Sequence, residues 1–404
     1  MSITQLSDVQ DHPVELVASP EKRQGIGLCL SGGGFRATLF HLGALRRLAE
    51  VGVLSHVRTV SAVSGGSIAA AHLATVLAKD GPVGPSDWDQ RVAKPLIKFT
   101  AADRRTKAIL RRFLPWNWFR SSAGVEGLAA EYARNLTALR LDGLPKQPNF
   151  VFCATDLQFG VNFVFERGRM GDYRAGYVSP PPADWPLAKA VAASSCFPPV
   201  FNPLPVRLAA ERFVGGSYPN GVRREALVAG MRLTDGGAYD NLGLEPVWKS
   251  HEYILVSDGG APFDVSEDRG LLWRIGRYVA VVDNQARALR KRWLLASLTA
   301  GDYRGAYWSV RSATTSYSPG DRSGYTKPLA TDVISRIRTD LDAFSEAEAA
   351  VLENHGYWLA EAALRSHSPD LIPAAAPSPK APRPEWMDEA RVREALWTSH
   401  RRRL

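Results

Sequence analysis

Residues 57–79, VRTVSAVSGGSIAAAHLATVLAK, constrain this chain more than any other stretch. A short β-rich run, Val57-Arg58-Thr59-Val60, precedes an Ala/Leu-rich run that reads as a helix. Ser64 stands between them, in Ala62-Val63-Ser64-Gly65-Gly66. A serine on a tight strand-to-helix turn is a nucleophile elbow, with the pattern G-x-S-x-G. Small neighbours are needed because strand and helix approach closely and the serine backbone is strained. The turn sets Oγ at a helix N-terminus, where free N–H groups and the helix dipole favour developing negative charge. Ala62 occupies the place of the first Gly. An ordinary Ser/Gly-rich turn has the same composition, so the rest of the chain decides.

A second glycine loop comes before it. Gly25-Ile26-Gly27-Leu28-Cys29-Leu30 reads as a buried strand and Ser31-Gly32-Gly33-Gly34-Phe35-Arg36-Ala37 follows. Leu39, Leu42, Leu45 and Leu48 then recur at roughly helical spacing, up to Gly52. Strand, glycine loop, helix is the order of an anion-binding loop. A dinucleotide fingerprint would need an acidic residue ending a second strand about 20 residues on, and a P-loop would need G-K-S/T; neither is present. An oxyanion hole fits better, because the next strand delivers Ser64. In an open parallel sheet both loops leave carboxyl ends of strands and converge on one crevice.

Gly81-Pro82 and Gly84-Pro85 break the helix after Ser64. Residues 80–147 read as an inserted helical layer. They carry Lys98, Arg104, Arg105, Lys107, Arg111 and Arg112, with Phe113, Trp116, Trp118 and Phe119 behind. This is either a solvated basic face or a surface that meets anionic lipid, with Trp at the interface. Further strands are expected at 149–155, 161–165, 231–234 and 253–257, with a helix at 187–195. Asp235-Gly236-Gly237 and Asp258-Gly259-Gly260 follow the last two strands. Strands alternating with helices predict an α/β fold with a mainly parallel, helix-covered sheet. From about 262 the chain reads as helical. Residues 271–298 combine Arg274, Arg277, Arg287, Arg290, Lys291 and Arg292 with Trp273, Tyr278 and Trp293, and Ser345-Glu346-Ala347-Glu348 is a capping-box start. Residues 368–384 are Pro/Ala-rich and read as a linker. The chain closes on His400-Arg401-Arg402-Arg403.

The 404 residues, 45% hydrophobic and 23% charged, suit a soluble globular protein of one large domain with additions, or two domains. Cys29, Cys153 and Cys196 are few, scattered and mostly in apolar runs, which argues for buried thiols and against a disulfide framework or metal site. A Sec signal and a transmembrane helix are not expected, and cytoplasmic synthesis follows. The net charge of +9 favours an anionic partner. No nucleic-acid recognition motif accompanies it.

A serine hydroxyl needs a base. His41 and His72 fall inside expected helices, and His251 and His355 come late; none follows a strand as a triad histidine on a loop should. A carboxylate in a dry pocket is a base if it hydrogen-bonds the hydroxyl directly. Asp235 and Asp258 both sit at strand ends, and Asp235 has the richer context in Asp240-Asn241-Leu242.

Four stretches together resemble the patatin-like phospholipases, lipid acyl hydrolases with a Ser–Asp dyad. Gly32-Gly33-Gly34-Phe35-Arg36 resembles the family's oxyanion loop with its Arg, and Ala62-Val63-Ser64-Gly65-Gly66 its G-x-S-x-G. Asp235-Gly236-Gly237 with Asn241-Leu242 resembles its D-G-G/A and the following Asn-Leu. Ala193-Ser194-Ser195-Cys196-Phe197-Pro198-Pro199-Val200-Phe201 resembles the Ser-rich helix end and proline turn between them, and Ala154-Thr155-Asp156-Leu157 is also typical. The departures are Ala62 for Gly and Ala37 for the last Gly of the loop. Arg338-Thr339-Asp340-Leu341 and His355-Gly356-Tyr357 resemble a bacterial subgroup.

The resemblance implies a three-layer sandwich around a mainly parallel sheet, with a helical insertion and a helical C-terminal extension. The implied organisation is a polar lead-in at 1–23 and a catalytic domain at 24–260. A helical region at 261–367 and a linker with a basic tail at 368–404 complete it. It implies Ser64 as nucleophile and Asp235 as base, with Gly32, Gly33, Gly34, Phe35 and Arg36 forming the oxyanion and substrate-binding loop. It implies no cofactor or metal. The substrate would be a phospholipid or other acyl ester, met at an anionic membrane surface. The competing readings are a non-catalytic lipid-binding protein using the basic, Trp-containing helices, and a histidine-dependent esterase.

Overall fold

Strand β1 (Ile26–Leu30) is buried at every position because its two sides meet different layers. Leu28 and Leu30 join the main core and Cys29 joins a second, smaller one, as the period-2 alternation of a strand requires. The computed structural model describes residues 23–110, 122–198, 200–263, 265 and 267–401. After β1 come α1 (Gly34–Glu50), β2 (Val57–Val63) and α2 (Gly65–Asp80), followed by the inserted helices α3 (Lys94–Thr100), α4 (Arg105–Leu110) and α5 (Ala123–Asn135). Next are β3 (Asn149–Asp156), β4 (Val161–Phe165), β5 (Met170–Asp172), β6 (Gly176–Val178), α6 (Leu187–Ser195), β7 (Leu204–Pro205) and α7 (Val222–Ala229). The C-terminal half contains β8 (Arg232–Asp235), α8 (Gly237–Asp240), β9 (Tyr253–Asp258), α9 (Leu271–Ala300) and β10 (Arg304–Ser309). The chain ends with α10 (Lys327–Asp332), α11 (Glu346–His367) and α12 (Glu389–Leu396).

Strands β10, β9, β1, β2 and β3 lie side by side in that order and all run parallel. The sheet continues antiparallel through β4, β5 and β6, and β8 pairs antiparallel with both β3 and β7. This is the α/β architecture expected from sequence, with a parallel centre covered by helices. Helix α1 is buried along almost its whole length, from Gly34 to Leu48. A helix on the outside of a sheet would bury one stripe. Here α11 covers the other side, and the two backbones touch. A Cβ on Gly43 would lie 1.8 Å from the Glu353 carbonyl oxygen, and one on Gly356 would lie 1.9 Å from that of Phe40. Arg46 ties the crossing to Glu353 at 2.7 Å, and Arg47 ties it to Glu361 at 2.7 Å.

The sheet therefore does not end near residue 260. Strand β10, unforeseen in the sequence, extends it beyond β9, and α11 closes the core over α1. The Pro/Ala-rich segment is not a free linker either. Arg47 donates to the Pro377 carbonyl at 3.0 Å, and Arg383 binds Glu353 at 2.9 Å while its backbone pairs with the Asn354 amide. In the insertion, Arg104 and Arg105 do not belong to a solvated face: both are buried, with Arg104 over the Phe99 ring and Arg105 paired with Asp340. Residues 1–22, Arg111, Arg112, Phe113, Trp116, Trp118, Phe119, Pro199, Arg402 and Arg403 lie outside the described residues. Among the described residues, no helix is long and apolar enough to cross a membrane.

Candidate active site

Two strands meet head to head on one edge of β3. Strand β2 runs parallel to it and ends with Val63 opposite Cys153. Strand β8 runs the other way and ends with Asp235 opposite Ala154, the next residue along. The residue after β2 is Ser64, so the register of β3 alone brings serine and aspartate together. Ser64 Oγ donates to Asp235 Oδ2 at 2.8 Å, and both residues are buried. Ser64 has φ 51° and ψ −117°, a left-handed backbone that a non-glycine residue adopts only when its surroundings impose it. It caps α2, which puts Oγ at that helix's N-terminus.

Ser194, at the end of α6, holds both partners. Its Oγ accepts the Ser64 N–H at 2.9 Å and donates to the Cys153 carbonyl at 2.6 Å, and its own carbonyl accepts the Gly236 N–H at 3.2 Å. Thr155 Oγ1 donates to the Asp235 carbonyl at 2.9 Å. Burial pushes the Asp235 carboxyl up to about 6, against the Gly237 N–H, the Ser64 hydroxyl and the charge of Arg287, which pull it down. Such a carboxylate is largely ionised at neutral pH, yet more basic than a solvated one.

Asp258 is placed differently. Lys291 Nζ lies 2.7 Å from its Oδ2, Tyr307 donates to the same oxygen at 2.6 Å, and Gly260 N–H binds Oδ1 at 2.9 Å. Burial pushes it up, but the Lys291 ammonium and these donors outweigh burial and hold it below the ordinary carboxylate range. The histidines are also engaged elsewhere. His41 bonds Ser257 and the Ser31 carbonyl, His72 the Val92 carbonyl, His251 Thr59, and His355 the Val310 carbonyl. Burial pushes His41 and His355 down to about 4, so both are neutral at physiological pH.

The glycine loop packs directly on the elbow. A Cβ on Gly32 would come within 3.2 Å of Ser64 Cβ, and one on Gly65 within 2.1 Å of the Gly34 carbonyl oxygen. Gly33 and Gly34 have φ of 145° and 57°, which only glycine adopts without strain. The five loop residues divide by role. Gly32 N–H is already spent on the Asn241 carbonyl, at 3.0 Å, and Phe35 N–H on that of Asp340, at 2.9 Å. Among the described residues the N–H groups of Gly33 and Gly34 have no such acceptor. The Phe35 ring is buried between Phe99 and Phe344. Arg36, which the resemblance placed in the oxyanion and substrate-binding loop, is 2% exposed. It donates to the carbonyls of Gly259, Ser335 and Ile337. It braces the loop against β9 and the 335–341 segment. That segment, Ser194 and the Asn241 carbonyl were not assigned roles from sequence. Ser194 was visible in the Ser-rich stretch, but its contacts depend on pairing across 130 residues.

Residues 28–248, more than half of the chain, match the family model for patatin-like phospholipases. No curated protein matches the chain. Among solved structures, human GIVD cytosolic phospholipase A2 shares 14% identity over 95% of this chain and 61% of its own, with a TM-score of 0.44. VipD from Legionella pneumophila shares 14% identity over 86% of this chain and 67% of its own, with a TM-score of 0.36. The chain thus spans about three-fifths of the length of the phospholipase A2 it matches. By the family model, over a segment that contains both Ser64 and Asp235, the chain belongs to the patatin-like phospholipase family.

Proposed function

We propose that this protein is a lipid acyl hydrolase of the phospholipase A or lysophospholipase type, acting through Ser64 and Asp235. The observation that carries this is the 2.8 Å hydrogen bond from Ser64 Oγ to a buried carboxylate oxygen, on a serine held at positive φ. Asp235 takes the Ser64 proton as Oγ attacks the ester carbonyl. The N–H groups of Gly33 and Gly34 receive the oxyanion, each worth about 3–4 kcal/mol in such sites. Collapse breaks the ester C–O bond, and Asp235 returns its proton to the departing alcohol. Water then attacks the acyl-serine, losing its proton to Asp235; collapse breaks the bond from the acyl carbon to Ser64 Oγ, Asp235 returns the proton to that oxygen, and the fatty acid leaves. A substrate of this kind resides in a membrane, so contact with an anionic lipid surface belongs to the same reading.

A fluorophosphonate probe tests it. Labelling mapped to Ser64, with fatty acid released from phospholipid, is the expected result. Absence of labelling in folded protein would overturn the reading in favour of a non-catalytic lipid-binding protein. The base sets the pH response. Asp235 is protonated below about 6, so kcat/KM should fall as pH drops through 6 and level off above it. A profile flat from pH 5 to 8 would exclude Asp235 as the base.

Ser194→Ala removes the acceptor that holds the Ser64 N–H. A misplaced nucleophile lowers kcat more than it raises KM, so the expectation is a kcat loss of about 10–100-fold with KM within about threefold. Unchanged kcat would show that the elbow keeps its geometry without this bond.

A further inference from the structure

Ten of the fifteen large hydrophobic side chains found exposed lie between residues 263 and 295. Most of them are on α9. This helix has 30 residues, about 45 Å of length, and it is attached by one end. Near its C-terminus Leu294 is fully buried and Trp293 packs edge-on against Trp248 and Tyr303. The turn just before these residues is held by charge: Lys291 on Asp258 at 2.7 Å, and Arg290 on Asp240 at 3.8 Å and on the Tyr239 carbonyl. From Leu271 to Val282 no described side chain is buried.

The exposed residues are ordered. Leu271, Tyr278, Val282 and Leu289 are spaced by seven, four and seven, which places them on one face of the helix, with Val279 beside them. All five are 60–72% exposed. An apolar stripe of this extent on a soluble surface marks a contact site. Charge selects the partner. Residues 264–292 carry seven Arg and Lys against four Asp and Glu, within a chain of net charge +9. Arg274, Arg287, Arg290 and Lys291 face Asp268, Asp283, Asp240 and Asp258, so the sign of the surface is set by the surplus, with Arg269, Arg277 and Arg292 as its remaining cations. A second copy would bring like charges together, whereas an anionic bilayer takes both the cations and the apolar stripe.

We infer that the outer face of α9, from Leu271 to Leu289, is a docking surface for anionic membrane lipid. It rests on the reading that the substrate is a membrane lipid. Asp258 ends β9 and Asp240 lies five residues after Asp235, so the helix that meets the bilayer is pinned to the elements that carry the site. An inserted apolar stripe sets the crevice against the lipid without extracting the substrate into water.

The test uses full-length Ser64→Ala protein, so that vesicles are not consumed and binding is read separately from turnover. Sedimentation with phosphatidylcholine vesicles containing phosphatidylglycerol is compared with phosphatidylcholine alone. The expected result is binding to the first that weakens with salt and falls about tenfold or more on adding Val279→Asp and Val282→Asp. Both positions are exposed, so an unchanged thermal transition shows that the fold is intact. Binding unaffected by the two substitutions overturns the proposal, as does equal binding to both vesicle types. No vesicle binding, with a concentration-dependent dimer that the substitutions abolish, assigns the stripe to a second copy instead. Fluorophosphonate labelling of the Ser64 protein is independent of these outcomes, so a wrong docking surface and a wrong catalytic reading are told apart.

Discussion

Asp235→Asn is expected to lower ester hydrolysis by about 10³–10⁴-fold while the protein stays folded. The substitution keeps the shape of the side chain and an oxygen for the Gly237 N–H, which Asp235 now binds at 2.8 Å. It removes the carboxylate that accepts the Ser64 Oγ proton. Stability should move the other way. Burial raises the Asp235 carboxyl from near 3.8 to about 6, so the folded protein holds this proton to higher pH than the unfolded chain does. The ionised carboxylate thus costs stability as pH rises through that window, and the full cost persists above it. Two pK units correspond to roughly 2–3 kcal/mol. The variant should melt no lower than the parent at pH 8, and its advantage should vanish near pH 4. Asp258→Asn is the comparison. Its carboxylate is paired with Lys291 and Tyr307 and does not reach Ser64, so it should cost hydrolysis far less. Loss of activity in Asp258→Asn with retention in Asp235→Asn would reverse the assignment of the base.

That contrast also shows what a sequence reveals and what it hides. Strands β1 and β2, their glycine loops and α2 were legible because periodicity and small residues encode them locally. The two Asp-Gly-Gly segments look alike in sequence. What separates them is non-local: the register that sets Asp235 opposite Ala154, and Lys291 arriving on α9 33 positions after Asp258. Strand β10 escaped notice because RGAYWS is short and follows a 30-residue helix. The role of α11 was hidden for a related reason. Its capping box marks a helix, with Glu348 N–H on Ser345 Oγ, but nothing local says that Gly356 meets the backbone of α1. Composition misled at 368–384, where Pro and Ala suggest a spacer and Arg383 anchors the segment to Glu353. The donors of the loop could not be told apart either. Three adjacent glycines are equivalent as letters, and only the carbonyl of Asn241, brought in by α8, takes the N–H of Gly32.

Gly65→Ala should cost about 10²–10³-fold in kcat, although its local preference points the opposite way. Gly65 begins α2, and no positive φ is recorded for it, so alanine fits the backbone and is favoured in a helix by about 1 kcal/mol. Space decides instead. The added Cβ would stand 2.1 Å from the Gly34 carbonyl oxygen and 2.9 Å from the Gly34 nitrogen. Those are backbone atoms of the loop proposed to hold the oxyanion, and Gly34 is itself boxed in by Asp340, whose carbonyl oxygen lies 2.5 Å from where its own Cβ would be. Relief requires the elbow and the loop to separate by about an ångström, a displacement that costs on the order of 10²-fold when it misplaces a reacting group, and more when it also withdraws a donor. Gly124→Ala is the control. Gly124 lies in α5 with only Phe201 at an ordinary 3.6 Å, and alanine there should leave kcat unchanged and the melting temperature equal or higher. The decisive measurement is kcat on a soluble ester alongside the rate of fluorophosphonate labelling at Ser64. Both should fall in Gly65→Ala, because each passes through an anionic oxygen that needs the same donors. A fall in kcat with unchanged labelling would place the damage in the binding of the substrate, and normal values for both would mean that the oxyanion is held by groups other than the N–H of Gly33 and Gly34.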